Sequence, residues 1–544
     1  MMDYQLTLRP LLERAVRIFP KRELVTKVGT TLHRYTYADM YPRVCKLANV
    51  LGKLGVKHGD RVGTLAWNNY RHLELYFAVP CSGAVLHTLN LRLPPEQIIY
   101  IINHAEDKVL FVDQSLLPLV EKIASHLKTV KTIVVMADTP LQTSLMEAVS
   151  YEELLAAEDD HYVWPDLDER DAAAMCYTSG TTGNPKGVLY SHRSIYLHTM
   201  GICQTDSLGL STNDTMMPVV PMFHVLAWGL PFAATLLGCK QVFPGPHLQP
   251  RDLAELIQDE HVTITAGVPT LWLGLFGLLE HERYDLAALH TMIVGGAAAP
   301  RSMIENYQKK LGLQIVHAWG MTETSPLGSV ARLKAEMRDL PEEEQYVIRA
   351  KQGIPAPGVE IRAVDENGNE VPNDGKTMGE LQIRGPWIAS AYYNDPRSAA
   401  SFMDGWFRTG DVITIDGDGY IQIVDRTKDL VKSGGEWIST IELESAIMAH
   451  PKVLEAAVIA VPHPKWQERP LALVVPRAKD DPPNKTDIYE LLTKHFAKWQ
   501  LPDDVVFVES IAKTSVGKFD KKVLREAYKE YHLPSISSEY LGSE

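Results

Sequence analysis

Between about residue 60 and residue 330, short apolar runs alternate with helix-length amphipathic segments. The runs Arg61 to Trp67, Lys108 to Val112, Thr132 to Met136, Val262 to Gly267 and Thr291 to Gly295 read as strands, each followed by a helical pattern. Strand and helix in alternation predict α/β layers with largely parallel sheets. From Gly353 to about Val424 the pattern shifts to short β-rich runs broken by Asp365-Glu366-Asn367-Gly368 and Asp416-Gly417-Asp418-Gly419, which predicts a small β-barrel or sheet. After Asp425 a compact α+β segment is expected, with helices over Ile441 to Ala449 and Thr486 to Phe496 and strands near Glu455 to Val461 and Leu471 to Val475. The Ser-rich tail from Leu533 is expected to be loose.

A chain of 544 residues exceeds what one hydrophobic core supports, so at least two domains are expected. A net charge of −14 argues against nucleic acid as the main partner, while leaving room for local basic patches for small anions. Cys45, Cys81, Cys176, Cys203 and Cys239 have neither zinc nor redox spacing, which fits a reduced, cytoplasmic setting best. The most apolar segment, Val225 to Cys239, is shorter than the ~17 residues a membrane span needs and contains Pro231, so it is expected to be a buried element. Charged residues from Asp3 to Arg17 argue against a secretion signal, and Gly542-Ser543-Glu544 is neither a peroxisomal nor an ER-retention signal.

The run Tyr177-Thr178-Ser179-Gly180-Thr181-Thr182-Gly183-Asn184-Pro185-Lys186-Gly187 concentrates three glycines, four hydroxyl side chains from Ser and Thr, and one lysine between two apolar strand-like runs. Glycines let backbone N–H groups approach anionic oxygens, while the hydroxyls and Lys186 add donors and charge, so the loop is expected to bind phosphate. Counted from Gly180, Pro185 stands where a Walker loop has its second glycine, and Gly187 follows the lysine where that loop has Ser or Thr.

The loop resembles the phosphate loop of the adenylate-forming superfamily, which includes acyl-CoA synthetases, peptide-synthetase adenylation domains and firefly luciferase. Further motifs follow in that family's order: His317-Ala318-Trp319-Gly320-Met321-Thr322-Glu323-Thr324, Trp406-Phe407-Arg408-Thr409-Gly410-Asp411, Asp425-Arg426-Thr427-Lys428-Asp429 with Lys432-Ser433-Gly434-Gly435-Glu436-Trp437, and Lys513-Thr514-Ser515-Val516-Gly517-Lys518. The resemblance implies an N-terminal domain over 1–425, its β-rich subdomain over about 353–424, and a small mobile C-terminal lid over 426–544 hinged at Lys428. It implies ATP, Mg²⁺ and coenzyme A as cofactors. Thr178 and Glu323 would hold the metal, with Ser179, Gly180, Thr181, Thr182, Gly183 and Lys186 on the phosphates. Asp411 and Arg426 would take the ribose. Gly295, Gly296, Ala297, His317, Ala318, Trp319, Gly320 and Thr322 would surround the nucleotide base. Lys518 would carry adenylation, with Lys432 also near the nucleotide. Ser433, Gly434, Gly435 and Trp437 would form the coenzyme A passage.

In relatives the histidine matching His224 lies beside the acyl carbonyl, and a tryptophan matching Trp228 gates the acyl tunnel. The stretch Phe223 to Leu230 and the wall Gly267-Val268-Pro269-Thr270-Leu271-Trp272 hold no Asp or Lys to meet an amino acid's ammonium, which argues against amino-acid activation. An apolar pocket suits an alkyl chain, at ~0.8 kcal/mol per buried CH₂. The chain is most similar to bacterial medium- and long-chain fatty acyl-CoA synthetases, an expectation that includes Asn69 to Glu74 and Asn103 to Lys108. A short thioether acid such as 3-methylmercaptopropionate, a luciferase-like oxidation, or nucleotide binding without catalysis are the alternatives. Peripheral membrane contact and a homodimer stay open.

Overall fold

The computed structural model describes all residues except 140, 146–147, 179–183, 435, 479, 514–518 and 534–544. The chain forms two compact units, one of Met1–Ile361 with Ile383–Phe407, the other of Arg362–Gln382 with Arg408–Glu544.

The first unit holds two large sheets. One runs, strand by neighbouring strand, Ala148–Ser150, Thr132–Met136, Val109–Asp113, Arg61–Leu65, Val85–Thr88, Ala172–Tyr177, Gly187–Ser191. It is parallel up to the last pair, which is an antiparallel hairpin. Val109–Asp113 is buried at every position, as a strand covered on both faces by helices must be. The second sheet places Gln314–Gly320, Thr291–Val294, Ile264–Gly267 and Thr215–Pro218 side by side and parallel. Their C-terminal ends therefore open together onto the four segments that begin at Met321, Gly295, Val268 and Val219. In open parallel sheets that edge is where ligands bind.

The α/β alternation follows the apolar runs, with two departures. No helix directly follows Thr132–Met136; the chain passes instead to the strand Ala148–Ser150 and the short helix Tyr151–Ala156. Thr143 Oγ1 and the Ser144 N–H both donate to Glu121 Oε1, at 2.9 and 3.0 Å. Such side-chain bonds compete with helix formation. The expected helix Thr486 to Phe496 is Lys485–Leu492, begun by an Asn484 capping box and ended where the His495 and Phe496 N–H groups both turn back onto the Leu492 carbonyl.

In the second unit a sheet orders Glu436–Ile438, Val431–Ser433, Gln467–Pro476 and Val453–His463, with Asp504–Phe507 paired parallel to Gln467–Pro476. Helix Thr440–Met448, capped by Ser439, packs on Val453–His463. The β-rich segment forms a five-stranded sheet of Glu360–Val364, Gly379–Arg384, Trp406–Ile415, Phe402–Met403 and Ile421–Arg426. No described helix is long and apolar enough to cross a membrane.

Candidate nucleotide and acyl site

The antiparallel strands Ala172–Tyr177 and Gly187–Ser191 flank the phosphate-loop motif in sequence. The Thr178 N–H donates to the Lys186 carbonyl at 2.9 Å, and the Lys186 N–H donates to Thr178 Oγ1 at 3.2 Å, closing the loop at its base. Ser179, Gly180, Thr181, Thr182 and Gly183 lie outside the described residues. Lys186 Nζ stands 4.2 Å above the centre of the Tyr392 ring. Burial lowers its pKa, opposed by Glu323 and Asp395.

Glu323 lies on a short 3₁₀ turn, Thr322–Thr324, just beyond Gln314–Gly320. A Cβ at Gly320 would sit 1.9 Å from the Pro326 carbonyl oxygen, so only glycine lets the chain leave the strand here. The turn is held by Tyr190, whose hydroxyl donates to the Thr322 carbonyl at 2.7 Å, and by the Ala389 N–H on the Glu323 carbonyl at 2.8 Å. Tyr392 donates its hydroxyl to Glu323 Oε1 at 2.7 Å. No group of three or more His, Cys, Asp or Glu side chains suited to a metal occurs among the described residues. A single carboxylate such as Glu323 could hold a hard cation only together with oxygen ligands from water or phosphate.

His317 is buried with both ring nitrogens on backbone groups: Nδ1 lies 3.1 Å from the Ala350 carbonyl and Nε2 3.4 Å from the Ala299 N–H. These partners assign the proton to Nδ1, and burial pushes the pKa down to about 4. The neutral ring ties Ala299, just after the Gly295-Gly296-Ala297 run, and Ala350 to the strand Gln314–Gly320. Trp319 lies against Gly328 on strand Leu327–Val330, where a Cβ would approach the indole Cζ3 to 2.3 Å. Ala318, on the same strand as Trp319, directs its carbonyl toward Gly295, 3.0 Å from where a Cβ would stand.

The apolar segment after Thr215–Pro218 is buried, but its shape is unlike anything local sequence preference suggests. Val225, Leu226, Ala227, Trp228 and Gly229 all have positive φ, at 44°, 55°, 49°, 58° and 73°. A left-handed turn costs a non-glycine residue about 1–2 kcal/mol, so this one persists only because its flanks are pinned. Asn68 accepts from the Met222 N–H at 2.7 Å and donates to the Pro218 and Val220 carbonyls at 2.8 and 2.9 Å. Tyr76 and Thr88 donate to the Met222 and Phe223 carbonyls. Gly229 fits tightly against His198, and helix Leu230–Leu237 continues with Pro231 in its first turn. Half-buried His224 begins the turn. Trp228 ends it, with its six-membered ring 3.0 Å from where a Cβ at Gly295 would stand and 3.9 Å from one at Gly296. Apolar turn and glycine loop therefore meet at Trp228.

The second unit holds the remaining motifs. Asp411 and Arg426 are directly opposed on antiparallel strands, and Arg426 Nε meets Asp411 Oδ1 at 2.6 Å. The Asp429 and Leu430 N–H groups both donate to the Arg426 carbonyl, folding the chain around exposed Lys428. Asp429 also pairs with Arg525. In the hairpin Val431–Ser433 and Glu436–Ile438, Lys432 lies opposite Trp437 with Nζ 5.9 Å from its ring. Gly434 has φ +62°, and a Cβ there would reach Trp466 at 2.8 Å. Arg469 donates to Ser433 Oγ at 2.9 Å. Gly435 and Lys518 lie outside the described residues.

Asn68, Tyr190, Tyr392, Arg397 and Arg469 escaped the sequence reading. Arg397 donates to the Asn184 carbonyl at 3.2 Å, across more than two hundred residues of chain. Only the density of aromatic and charged residues in Tyr392-Tyr393-Asn394-Asp395-Pro396-Arg397 could have drawn attention to that segment.

A twin-sheet α/β unit with a glycine and hydroxyl hairpin loop, joined in one chain to an α+β unit, defines a nucleotide-dependent acid-activating fold. The chain belongs to the AMP-binding enzyme family, whose model matches residues 12–393, while the model of the AMP-binding enzyme C-terminal domain matches 442–518. It is 52% identical over 535 residues to a long-chain-fatty-acid–CoA ligase of Thermus thermophilus, covering 98% of this chain and 97% of that one. It is 47% identical to a 3-methylmercaptopropionyl-CoA ligase of Ruegeria pomeroyi, over 97% and 98% of the two chains. Among solved structures, the anthranilate CoA ligase AuaEII in complex with anthranoyl-AMP superposes with a TM-score of 0.85 at 26% identity, over 97% of this chain and 98% of that one.

Proposed function

We propose that this enzyme activates a hydrophobic carboxylic acid, a medium- or long-chain fatty acid, in two steps. In the first, a carboxylate oxygen attacks the ATP α-phosphorus and the bond to pyrophosphate breaks, leaving an acyl-adenylate. In the second, the coenzyme A sulfur attacks the acyl carbonyl, AMP departs and the thiol proton is lost. The observation that carries this reading is the meeting of the Val225–Gly229 turn with Gly295 and Gly296 at Trp228, which puts an apolar wall beside a glycine loop fit for a nucleotide.

Lys186 and the loop from Thr178 would hold the β- and γ-phosphates, and Asp411 with Arg426 the ribose hydroxyls. Lys518 would meet the charge that builds at the α-phosphate and carboxylate. Thr178 and Glu323 would hold Mg²⁺, which when bound neutralises phosphate charge. His224 would lie beside the acyl carbonyl, and Ser433, Gly434 and Trp437 along the pantetheine arm. Residues 1–425 and 426–544 would act as body and lid about Lys428. A reducing, cytoplasmic setting is supported by five unpaired cysteines, four of them buried.

Straight-chain acids of increasing length, and 3-methylmercaptopropionate beside them, tested with ATP and coenzyme A decide the substrate. AMP and pyrophosphate are the expected products, highest with the longer acids. ADP and phosphate as products would overturn the reading, and a preference for the thioether acid would favour the activity printed for the Ruegeria relative.

Trp228→Ala opens the space that the indole fills against Gly295. The kcat/KM ratio between the best and the shortest acid is expected to fall about tenfold, the scale on which a pocket distinguishes small changes in alkyl size. An unchanged chain-length profile would remove Trp228 from the acyl path.

A further inference from the structure

Segment Ala389–Ser398 clasps two parts of the proposed phosphate and metal site at once. On one side, the Tyr393 N–H donates to the Gly187 carbonyl at 2.8 Å, and Arg397 reaches the Asn184 carbonyl while paired to Asp395. On the other, the Ala389 N–H holds the Glu323 carbonyl. Tyr392 lies in the middle and is buried. Its ring faces the Lys186 ammonium at 4.2 Å, and its hydroxyl donates to Glu323 Oε1 at 2.7 Å. The Ser398 hydroxyl accepts from the Tyr392 N–H at 2.8 Å, which fixes where the side chain starts.

We propose that Tyr392 is the positioning residue that sets Lys186 and Glu323 against each other, so that phosphate and metal arrive at a preformed pair. An ammonium stripped of part of its water gains from an aromatic face, and a carboxylate that accepts a directed O–H bond is held in one rotation. The two contacts are separable, because phenylalanine keeps the ring and drops the hydroxyl, while leucine drops both.

The proposal rests on Glu323 as a metal ligand, and Glu323→Gln is the control for that premise. Calorimetric titration of the full-length protein with ATP, in the presence and absence of Mg²⁺, gives a readout independent of turnover; ATP–pyrophosphate exchange against Mg²⁺ concentration gives a second. For Tyr392→Phe the Mg²⁺ concentration at half-saturation is expected to rise about ten- to a hundredfold, the scale of one hydrogen bond to a charged group, with metal-free ATP binding unchanged and exchange restored at high Mg²⁺. Tyr392→Leu is expected to weaken metal-free ATP binding as well, through Lys186. Tyr392→Phe is nearly isosteric, so it tests the proposal even if the leucine variant fails to fold. If Glu323→Gln shifts the Mg²⁺ dependence and Tyr392→Phe does not, the positioning role is overturned. If neither shifts it, Glu323 is not the metal ligand and the premise falls with it.

Discussion

Lys518→Ala is expected to lower acyl-adenylate formation by about 10²-fold or more, while supplied acyl-adenylate and coenzyme A are still converted to thioester. Removing one preorganised group from a developing charge costs on that scale. The sequence offers four nearby lysines, Lys513, Lys518, Lys521 and Lys522, which read alone as a solvated basic cluster. Structure gives two of them other work. Lys513 pairs with Glu455. Lys521 is nearly buried, 2.7 Å from Glu444 and donating to Thr440 Oγ1 at 2.5 Å, a network that also draws in Asp425, which accepts from the Thr440 N–H at 2.6 Å. Bridging of Lys513 to Phe519, with the Asp520 N–H on the Ala512 carbonyl at 2.8 Å, brings together the two ends of the segment that carries Lys518. Pyrophosphate exchange measures the first half-reaction, and thioester formation from synthetic adenylate measures the second. Equal losses in both would mean that Lys518 acts on folding or on a step common to the two.

Arg469→Ala is expected to destabilise the second unit by about 3–5 kcal/mol, the range for stripping one partner from a buried ion pair. Arg469 is 7% exposed and Asp503 9%. Its guanidinium donates to Asp503 Oδ1 at 2.7 Å, Ser433 Oγ at 2.9 Å, and the Trp499 and Leu501 carbonyls at 2.6 and 3.1 Å. Truncation orphans all four acceptors at once, and an unpaired buried acceptor costs more than its bond contributed. Ser433 belongs to the hairpin proposed to meet coenzyme A, so thioester formation should suffer before adenylation does. Arg469→Lys restores the charge but not the planar fork, and is expected to recover only part of the loss. Urea unfolding followed by hydrogen exchange in Val431–Ser433 and Gln467–Pro476 measures the effect; exchange as slow as in the parent would show that the fork carries no such share of stability.

Strand Thr132–Met136 was legible to the residue, because a short β-branched apolar run between Lys131 and Ala137-Asp138 has few other places to go. The phosphate loop could be proposed from sequence because its glycines, hydroxyls and lysine are contiguous. His317 marks the boundary of such reading. Its motif places it near the nucleotide, but whether its nitrogens face a base or a backbone depends on Ala299 and Ala350, which lie outside the motif. The Val225–Gly229 turn was illegible for a stronger reason. Four of its five residues run against their own backbone preference, and the bonds that overrule them come from Asn68, Tyr76 and Thr88, more than 130 positions earlier.

By itself, then, the order of residues determined the α/β alternation and the change of texture after residue 353, since each depends on neighbours within a few positions, and it supplied the short runs proposed to carry phosphate, ribose and thiol chemistry. Tertiary structure alone decided which segments of the first unit meet. Parallel pairing set the ends of Thr215–Pro218, Ile264–Gly267, Thr291–Val294 and Gln314–Gly320 in a row, and so brought Trp228 onto Gly295. It also decided that Tyr392, in no motif recognised from sequence, should stand between Lys186 and Glu323. Contacts of that kind arise from strand order and long-range packing, for which a local pattern of residues has no representation.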